Sequence, residues 1–308
     1  MEKYRSAEGK TLTAYVVLAM LPKEQKRMTT PFLTEQQLAY FHTFGFLAFP
    51  GLLADRIEAI TNEFEAIWAA NGGGHAGQPH DGLRRSCSVQ FVDQSPYLST
   101  LLDDPRIHGI AAGILGDDFN YMGSDGNFYT GDTQWHSDGY GGRGGPLHIK
   151  IAYYLDPLTA ETGALRVIPG SHRIGEPFAE ELQRSIRASA DVWGVPGSQV
   201  PAVALATNPG DILVFNHDLK HAAFGGSGRR RMFTMNCCQR YPADKLQNLR
   251  DYIGGGARFW VERAYGEAMI ETADPARMVH LEQCMGNDGH LAELSRQARE
   301  RMAEPARG

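Results

Sequence analysis

The sequence predicts a mainly β domain, an antiparallel sandwich or barrel, with helices on its flanks. Two observations carry that reading. From residue 119 to about 240, short apolar runs are separated by Gly, Pro, Asp and Asn, the punctuation of a chain that reverses every few residues. Outside that stretch the apolar residues recur at three- and four-residue intervals, the period of a helix with one buried face.

Residues 1 to about 28 carry no clear period, and Met28 precedes the first patterned segment. The reading is an N-terminal extension, or a mis-chosen start, followed by a single domain over 29–308. Thr34 with Gln37 three residues on makes a capping box, and Leu38, Phe41 and Phe44 supply the apolar face of a helix over Glu35 to Phe44. Gly45 then fits a left-handed C-terminal cap. Phe46 to Phe49 reads as a strand, Pro50-Gly51 as a turn, and Leu53, Ile57, Ile60, Phe64 and Ile67 as one face of a second helix. Residues 71–82, opening Asn71-Gly72-Gly73-Gly74, read as a flexible loop.

The clearest strand is 147–155, where Leu147, Ile149, Ile151, Tyr153 and Leu155 alternate with His148, Lys150, Ala152 and Tyr154. The first set predicts a core face and the second a wall of a polar cavity. After Tyr241 the pattern returns to helical and irregular segments, and Glu293 to Arg307 reads as a solvated helix with a frayed tail.

Composition narrows the function. Hydrophobic residues make up 42% and charged residues 21%, the balance of a globular chain with a sizeable core. A net charge of −6 with scattered Lys and Arg offers no basic field, which argues against nucleic acid as a partner. The apolar run Leu12 to Leu21 is too short to span a bilayer, so no membrane role is expected and a cytoplasmic location is. Cys87, Cys237, Cys238 and Cys284 form no disulfide framework and lack zinc spacing.

The chemistry lies in Thr133-Gln134-Trp135-His136-Ser137-Asp138-Gly139. His136 and Asp138 are two apart, so on an extended backbone both side chains leave from one face. They suit two places of a two-His-one-carboxylate triad, which leaves positions open on iron(II). His221 is the best candidate for the third, because it follows the turn Pro209-Gly210-Asp211 and the apolar strand Ile212 to Phe215; His217 competes with it. A His-x-Asp pair alone is a weak signal, since solvated surface pairs also produce it. Its weight comes from order: Thr162-Gly163-Ala164-Leu165-Arg166-Val167-Ile168-Pro169-Gly170-Ser171-His172 lies between the ligand segments, and Arg229, Arg230 and Arg231 follow His221.

In this ordered set, from about Leu33 to Tyr241, the chain resembles the phytanoyl-CoA dioxygenase family of iron(II)/2-oxoglutarate-dependent oxygenases. The resemblance implies a double-stranded β-helix (a jelly roll, cupin-like) over about 119–240, with His136, Asp138 and His221 holding iron near its open end. It further implies an arginine that grips the distal carboxylate of 2-oxoglutarate, a task suited to a planar guanidinium. Strand alternation puts Arg230 with Met232, Thr234 and Asn236, the better pocket wall, and Arg231 with Phe233, Met235 and Cys237.

Gln134 resembles a position that contacts the co-substrate in some relatives; Lys150 and Tyr154 are further pocket candidates, and His172 reads as fixing a turn. Relatives that chlorinate have a small residue in place of the carboxylate, so the resemblance implies through Asp138 hydroxylation of a small-molecule C–H bond, with release of succinate and CO2, or another oxidation such as desaturation, over halogenation. The alternatives are a non-catalytic jelly-roll binding protein and a cupin-like metal enzyme that does not use 2-oxoglutarate. The glycine-rich stretches Gly72 to Gly74 and Gly139 to Gly145 read as lids or as plain long loops.

Overall fold

A computed structural model describes residues 32–139, 145–226 and 228–308. The extension expected at 1–28 and most of the glycine-rich stretch 139–145 lie outside these described residues. Helix α1 (Glu35–Phe44) forms on the capping box: Thr34 Oγ1 accepts from the Gln37 N–H at 3.1 Å, and Gln37 Oε1 accepts from the Thr34 N–H at 2.9 Å. Gly45 closes the helix at φ 87°, where a Cβ would also stand 2.5 Å from His172 Nδ1.

Strand β1 (Phe46–Phe49) and helix α2 (Ile57–Ala70) follow. Leu53 is fully buried but lies in the turn before α2 rather than on the helix itself. Residues 71–82 form turns and one short helical turn, and the segment is tied down rather than free. The buried His75 ring is within hydrogen-bond distance of Cys87 O (3.0 Å) and Pro305 O (2.9 Å). That anchorage argues against a lid at Gly72 to Gly74.

Strand β2 (Ser86–Val89), the short helix α3 (Pro96–Ser99) and helix α4 (Pro105–Leu115) lead into the strand-rich region. There β3 (Asn120–Tyr129), β4 (Thr133–His136), β5 (His148–Tyr154) and β6 (Leu165–Val167) precede helices α5 (Pro177–Ser185) and α6 (Ser189–Trp193). Strands β7 (Val203–Leu205), β8 (Ile212–Asn216), β9 (His221–Ala223) and β10 (Arg230–Cys238) complete it. Helices α7 (Leu246–Gly254), α8 (Glu267–Glu271), α9 (Pro275–Met285) and α10 (Leu291–Arg301) end the chain.

A six-stranded sheet runs β1-β8-β5-β10-β3-β2 and a four-stranded sheet β4-β9-β6-β7. From β3 to β6 the chain alternates between large and small sheet, and from β7 to β10 it alternates in the opposite phase, every pairing being antiparallel. This is the winding of a double-stranded β-helix. Two strands from outside 119–240 widen the large sheet: β1 pairs with β8, and β2 with β3.

The alternation along β5 holds. Ile149, Ile151 and Tyr153 join the main core, where helices α2 and α4 bring Ile60, Phe64, Trp68, Ile107 and Ile110 onto the large sheet. Ala152 and Tyr154 turn the other way, into a second core shared with Leu165, Val167 and Leu205 of the small sheet. Each large apolar side chain so buried contributes about 1.5–3 kcal/mol. The segment after α10 is not frayed. Arg307 donates from Nη1 to Arg85 O at 2.9 Å, and the Ala306 N–H donates to Arg258 O at 2.9 Å.

Candidate active site

His136 ends β4 and His221 opens β9, and the ladder sets the two directly opposite each other. Asp138 follows in the loop after β4, where its N–H donates to His217 O at 2.8 Å. One donor atom from each of His136, Asp138 and His221 lies within 4.8 Å of the others. The imidazole Nε2 atoms stand 4.0 Å (His136) and 3.9 Å (His221) from the Asp138 carboxylate oxygens.

The surroundings orient the donors. His136 Nδ1 lies 2.7 Å from Gln134 O, and His221 Nδ1 lies 2.9 Å from Leu219 O. A carbonyl can only accept, so each Nδ1 carries the proton and each Nε2 offers its lone pair to the centre, the arrangement metal-binding histidines need. Burial keeps both rings neutral, pushing His221 down to about 3 and lowering His136. Burial opposes the charge on Asp138, yet the Lys150 ammonium at 2.7 Å holds that carboxyl well below the usual carboxylate range. Two neutral imidazoles and one ionised carboxylate suit a divalent transition-metal ion.

The same cavity, about 810 Å³ in volume, reaches Arg230. On β10, Arg230, Met232, Thr234 and Asn236 face the cavity, while Phe233, Met235 and Cys237 face the main core. Arg230 is 8% exposed, donates from Nη2 to Gly131 O at 2.8 Å, and has a buried Nη1 with no hydrogen-bond partner. A buried guanidinium edge without an acceptor is costly, and a carboxylate is the ligand that offsets the cost. The cradle is glycine: a Cβ on Gly226 would fall 1.2 Å from Arg230 Nη1, and one on Gly163 would fall 2.9 Å away. The glycine in Thr162-Gly163-Ala164 therefore serves the arginine as well as a turn at φ 95°.

The neighbouring arginines are committed elsewhere. Arg231 pairs with Asp156 (2.6 Å) and Glu65 (3.0 Å), and Arg229 pairs with Glu65 (2.6 Å) while lying over the Phe128 ring. Arg231, the alternative to Arg230 as a co-substrate contact, has its charge already matched. Lys150, a further pocket candidate, does line the cavity, with its ammonium on Asp138. Gln134 lines the cavity at an exposed position, and its backbone carbonyl is what orients His136.

His217 is buried behind the centre, near His148, and lies outside the three-donor cluster. His172 fixes a turn, its Nε2 3.2 Å from His42 O. Next to it, Ser171 Oγ accepts from the Lys220 N–H at 2.8 Å, and Lys220 Nζ donates to Ser137 Oγ at 2.9 Å. The Pro169-Gly170-Ser171-His172 stretch thus braces both ligand loops against the end of α1.

Sequence reading passed over Arg85, Asp125 and Tyr129 on the β2–β3 wall. Asp125 accepts from Asn127 Nδ2 at 2.6 Å and from the Thr234 hydroxyl, and it faces Arg85 Nη2 at 3.4 Å. The sequence signal is the alternation of Asp125, Asn127 and Tyr129 with Gly126 and Phe128, the period of a strand with one polar face.

A family profile described as Phytanoyl-CoA dioxygenase (PhyH) matches residues 41–232, more than half of the chain. Ectoine dioxygenase of Sphingopyxis alaskensis is 29% identical over 154 residues, 43% of this chain and 50% of that protein. The match therefore spans about half the length of that curated relative. The crystal structure of EctD from S. alaskensis with 2-oxoglutarate and 5-hydroxyectoine aligns at TM-score 0.51 and 22% identity, over 70% of this chain and 79% of that one. The non-haem α-ketoglutarate-dependent carbocyclase SnoK of nogalamycin biosynthesis aligns at TM-score 0.53 and 22% identity, over 67% and 84%. At such identities the two structures share the fold with this chain.

Proposed function

Because the chain belongs to the phytanoyl-CoA dioxygenase family, we propose that it is an iron(II)- and 2-oxoglutarate-dependent dioxygenase that hydroxylates a C–H bond of a small molecule. The observation that carries this reading is that the three-donor centre and the partnerless edge of Arg230 open on one cavity.

In this reading His136, Asp138 and His221 hold the iron, and Arg230 receives the distal carboxylate of 2-oxoglutarate. Bound iron would couple decarboxylation of 2-oxoglutarate, to succinate and CO2, with insertion of one oxygen atom of O2 into the substrate. The chain's own part is positioning. The carbonyls of Gln134 and Leu219 fix the imidazole tautomers, and the glycines at 163 and 226 let Arg230 reach its place. Leu158, Leu165, Phe215 and Met232 line the cavity with apolar surface that keeps water from the reacting groups. A cytoplasmic setting goes with four free, buried cysteines. Separately, no helix among the described residues is long and apolar enough to cross a membrane.

The test is anaerobic addition of iron(II) and 2-oxoglutarate to metal-free protein, read by the visible charge-transfer band of the chelate. The band is expected in the wild type and absent from His136→Ala and His221→Ala. Folded, iron-loaded protein that shows no band with 2-oxoglutarate would overturn the reading.

A further inference from the structure

Among the described residues, seven arginine and lysine side chains line the cavity against two carboxylate side chains, Asp125 and Asp138, in a chain of net charge −6. Both carboxylates are already committed, Asp138 to Lys150 and Asp125 to Asn127, Thr234 and Arg85. Two of the cations are matched by acids off the cavity wall, Arg231 by Asp156 and Arg263 by Asp288. Arg230, Arg187 and Arg258 remain without an ion pair among the described residues, and Arg230 has its task.

Arg258 sits in the helical turn 255–259 after α7, beyond residue 232 where the family match ends. Arg258 stands at an exposed position with its guanidinium over the Phe259 ring, 4.6 Å from the centroid, and a guanidinium stacked on a ring face can still offer its edge to an oxyanion. Tyr252, Phe259 and Val261 give the wall around it an apolar surface. Arg258 lines the same cavity as Arg85 and the Cys87 thiol of β2. Arg85, however, is held by Asn127 and Asp125, and Gly308 lies against it, which leaves Arg258, among the described residues, as the cation without an ion pair on this side. Arg187 stands at an exposed position on the cavity wall and has no ion pair among the described residues.

We propose that the primary substrate is an organic acid with an apolar body, and that Arg258 receives its anionic oxygen group, carboxylate or phosphate. The proposal rests on the oxygenase reading and names the substrate class of that same site. Arg258 selects the substrate by charge, Tyr252, Phe259 and Val261 take up its carbon skeleton, and Arg187 adds to the field that draws an anion inward.

The test uses the full chain loaded with zinc(II), a redox-inert stand-in for iron(II), with 2-oxoglutarate saturating so that the Arg230 side is filled. Dissociation constants are measured by ligand-observed NMR for phenylacetate, phenyl phosphate and the neutral phenylacetamide. At least one anion should bind about tenfold more tightly than the amide, the worth of one charge-assisted contact. Arg258→Gln should bring that anion to the level of the amide, and Arg258→Lys should restore part of the preference. The preferred anion identifies the group. The affinity for 2-oxoglutarate in the same samples should stay within about twofold of wild type, since Arg258 is remote from Arg230 in the proposed arrangement.

Equal binding of amide and anions, no binding of any probe, or an Arg258→Gln variant with unchanged anion preference would each overturn the proposal. Failure of the protein to take up 2-oxoglutarate would instead remove the oxygenase reading. The anion series repeated on metal-free Arg230→Gln then still decides whether Arg258 is an anion site.

Discussion

His136 and His221 are direct cross-strand partners on β4 and β9, with ring centroids 4.2 Å apart. Each ring is turned by the backbone carbonyl two residues before it, so both present the same edge to Asp138. The ladder that holds them is short, and its register shifts between Thr133 and His136. An ion bridging the two rings would therefore fasten strands that few backbone hydrogen bonds join.

Metal should accordingly stabilise the fold measurably. At a free zinc(II) or iron(II) concentration a hundredfold above the dissociation constant, the gain is about 2.7 kcal/mol, a rise of several degrees in Tm. Calorimetry of metal-free and metal-loaded protein checks it, and a chelator should reverse it. His221→Ala should show no shift. An undiminished shift in that variant would place the ion elsewhere.

Gly226→Ala should separate co-substrate binding from iron binding. The added methyl would fall on Arg230 Nη1, and the guanidinium would have to leave its cradle. The affinity for 2-oxoglutarate should fall by about tenfold or more, the loss of a charged hydrogen bond, with metal uptake preserved. Arg231→Gln should leave that affinity nearly unchanged, because its partners are Asp156 and Glu65. The two dissociation constants, measured side by side, decide which arginine serves 2-oxoglutarate.

The parts of the site that local pattern governs were legible in advance. His136 and Asp138 share a face because they are two apart, and parity along β10 separated Arg230 from Arg231. The capping box of α1 and the two faces of β5 follow the same local periods. What pattern could not reach was pairing between distant segments. Nothing near Lys150 in sequence announces that its ammonium rests on Asp138, and nothing near Gly163 announces that the Arg230 guanidinium lies against it. His75 looked mobile because glycines surround it, although Cys87 O and Pro305 O hold its ring. These relationships depend on contacts 12 to 230 residues apart.

Lys150→Met should destabilise the metal-free protein more than the metal-loaded one. Without the ammonium, Asp138 is a largely enclosed carboxylate lacking its countercharge, which costs about 3 kcal/mol, the low end for a broken buried pair because both partners keep some exposure. A divalent ion supplies the missing charge, so the deficit should shrink on loading and the variant should bind zinc(II) more tightly. Denaturant titrations with and without zinc(II) check both statements. An equal deficit in the two states would mean that ammonium and metal do not compete for this carboxylate.

A second buried carboxyl, away from the cavity, sets a pH dependence of stability. Asp93 is 1% exposed; Tyr121 OH (2.8 Å) and Ser124 Oγ (3.4 Å) donate to Oδ1, and the Gly266 N–H (3.1 Å) donates to Oδ2. Burial outweighs these bonds and raises its pKa from 3.8 to about 6. A carboxyl whose pKa is higher folded than unfolded favours the fold fully below the unfolded value, and that contribution is lost as pH rises through the folded one. From about pH 4 to pH 7 this group should thus withdraw stability on the order of 3 kcal/mol.

Carboxylates held low by arginines, such as Asp104 beside Arg56 and Arg106, act in the opposite direction, so the readout must be a difference. Asp93→Asn cannot ionise and gives up one acceptor. It should be less stable than wild type at pH 4.5, and the gap should narrow or reverse by pH 7. Denaturant midpoints for both proteins across that range measure it, and a gap independent of pH would show that Asp93 does not titrate there in the folded protein.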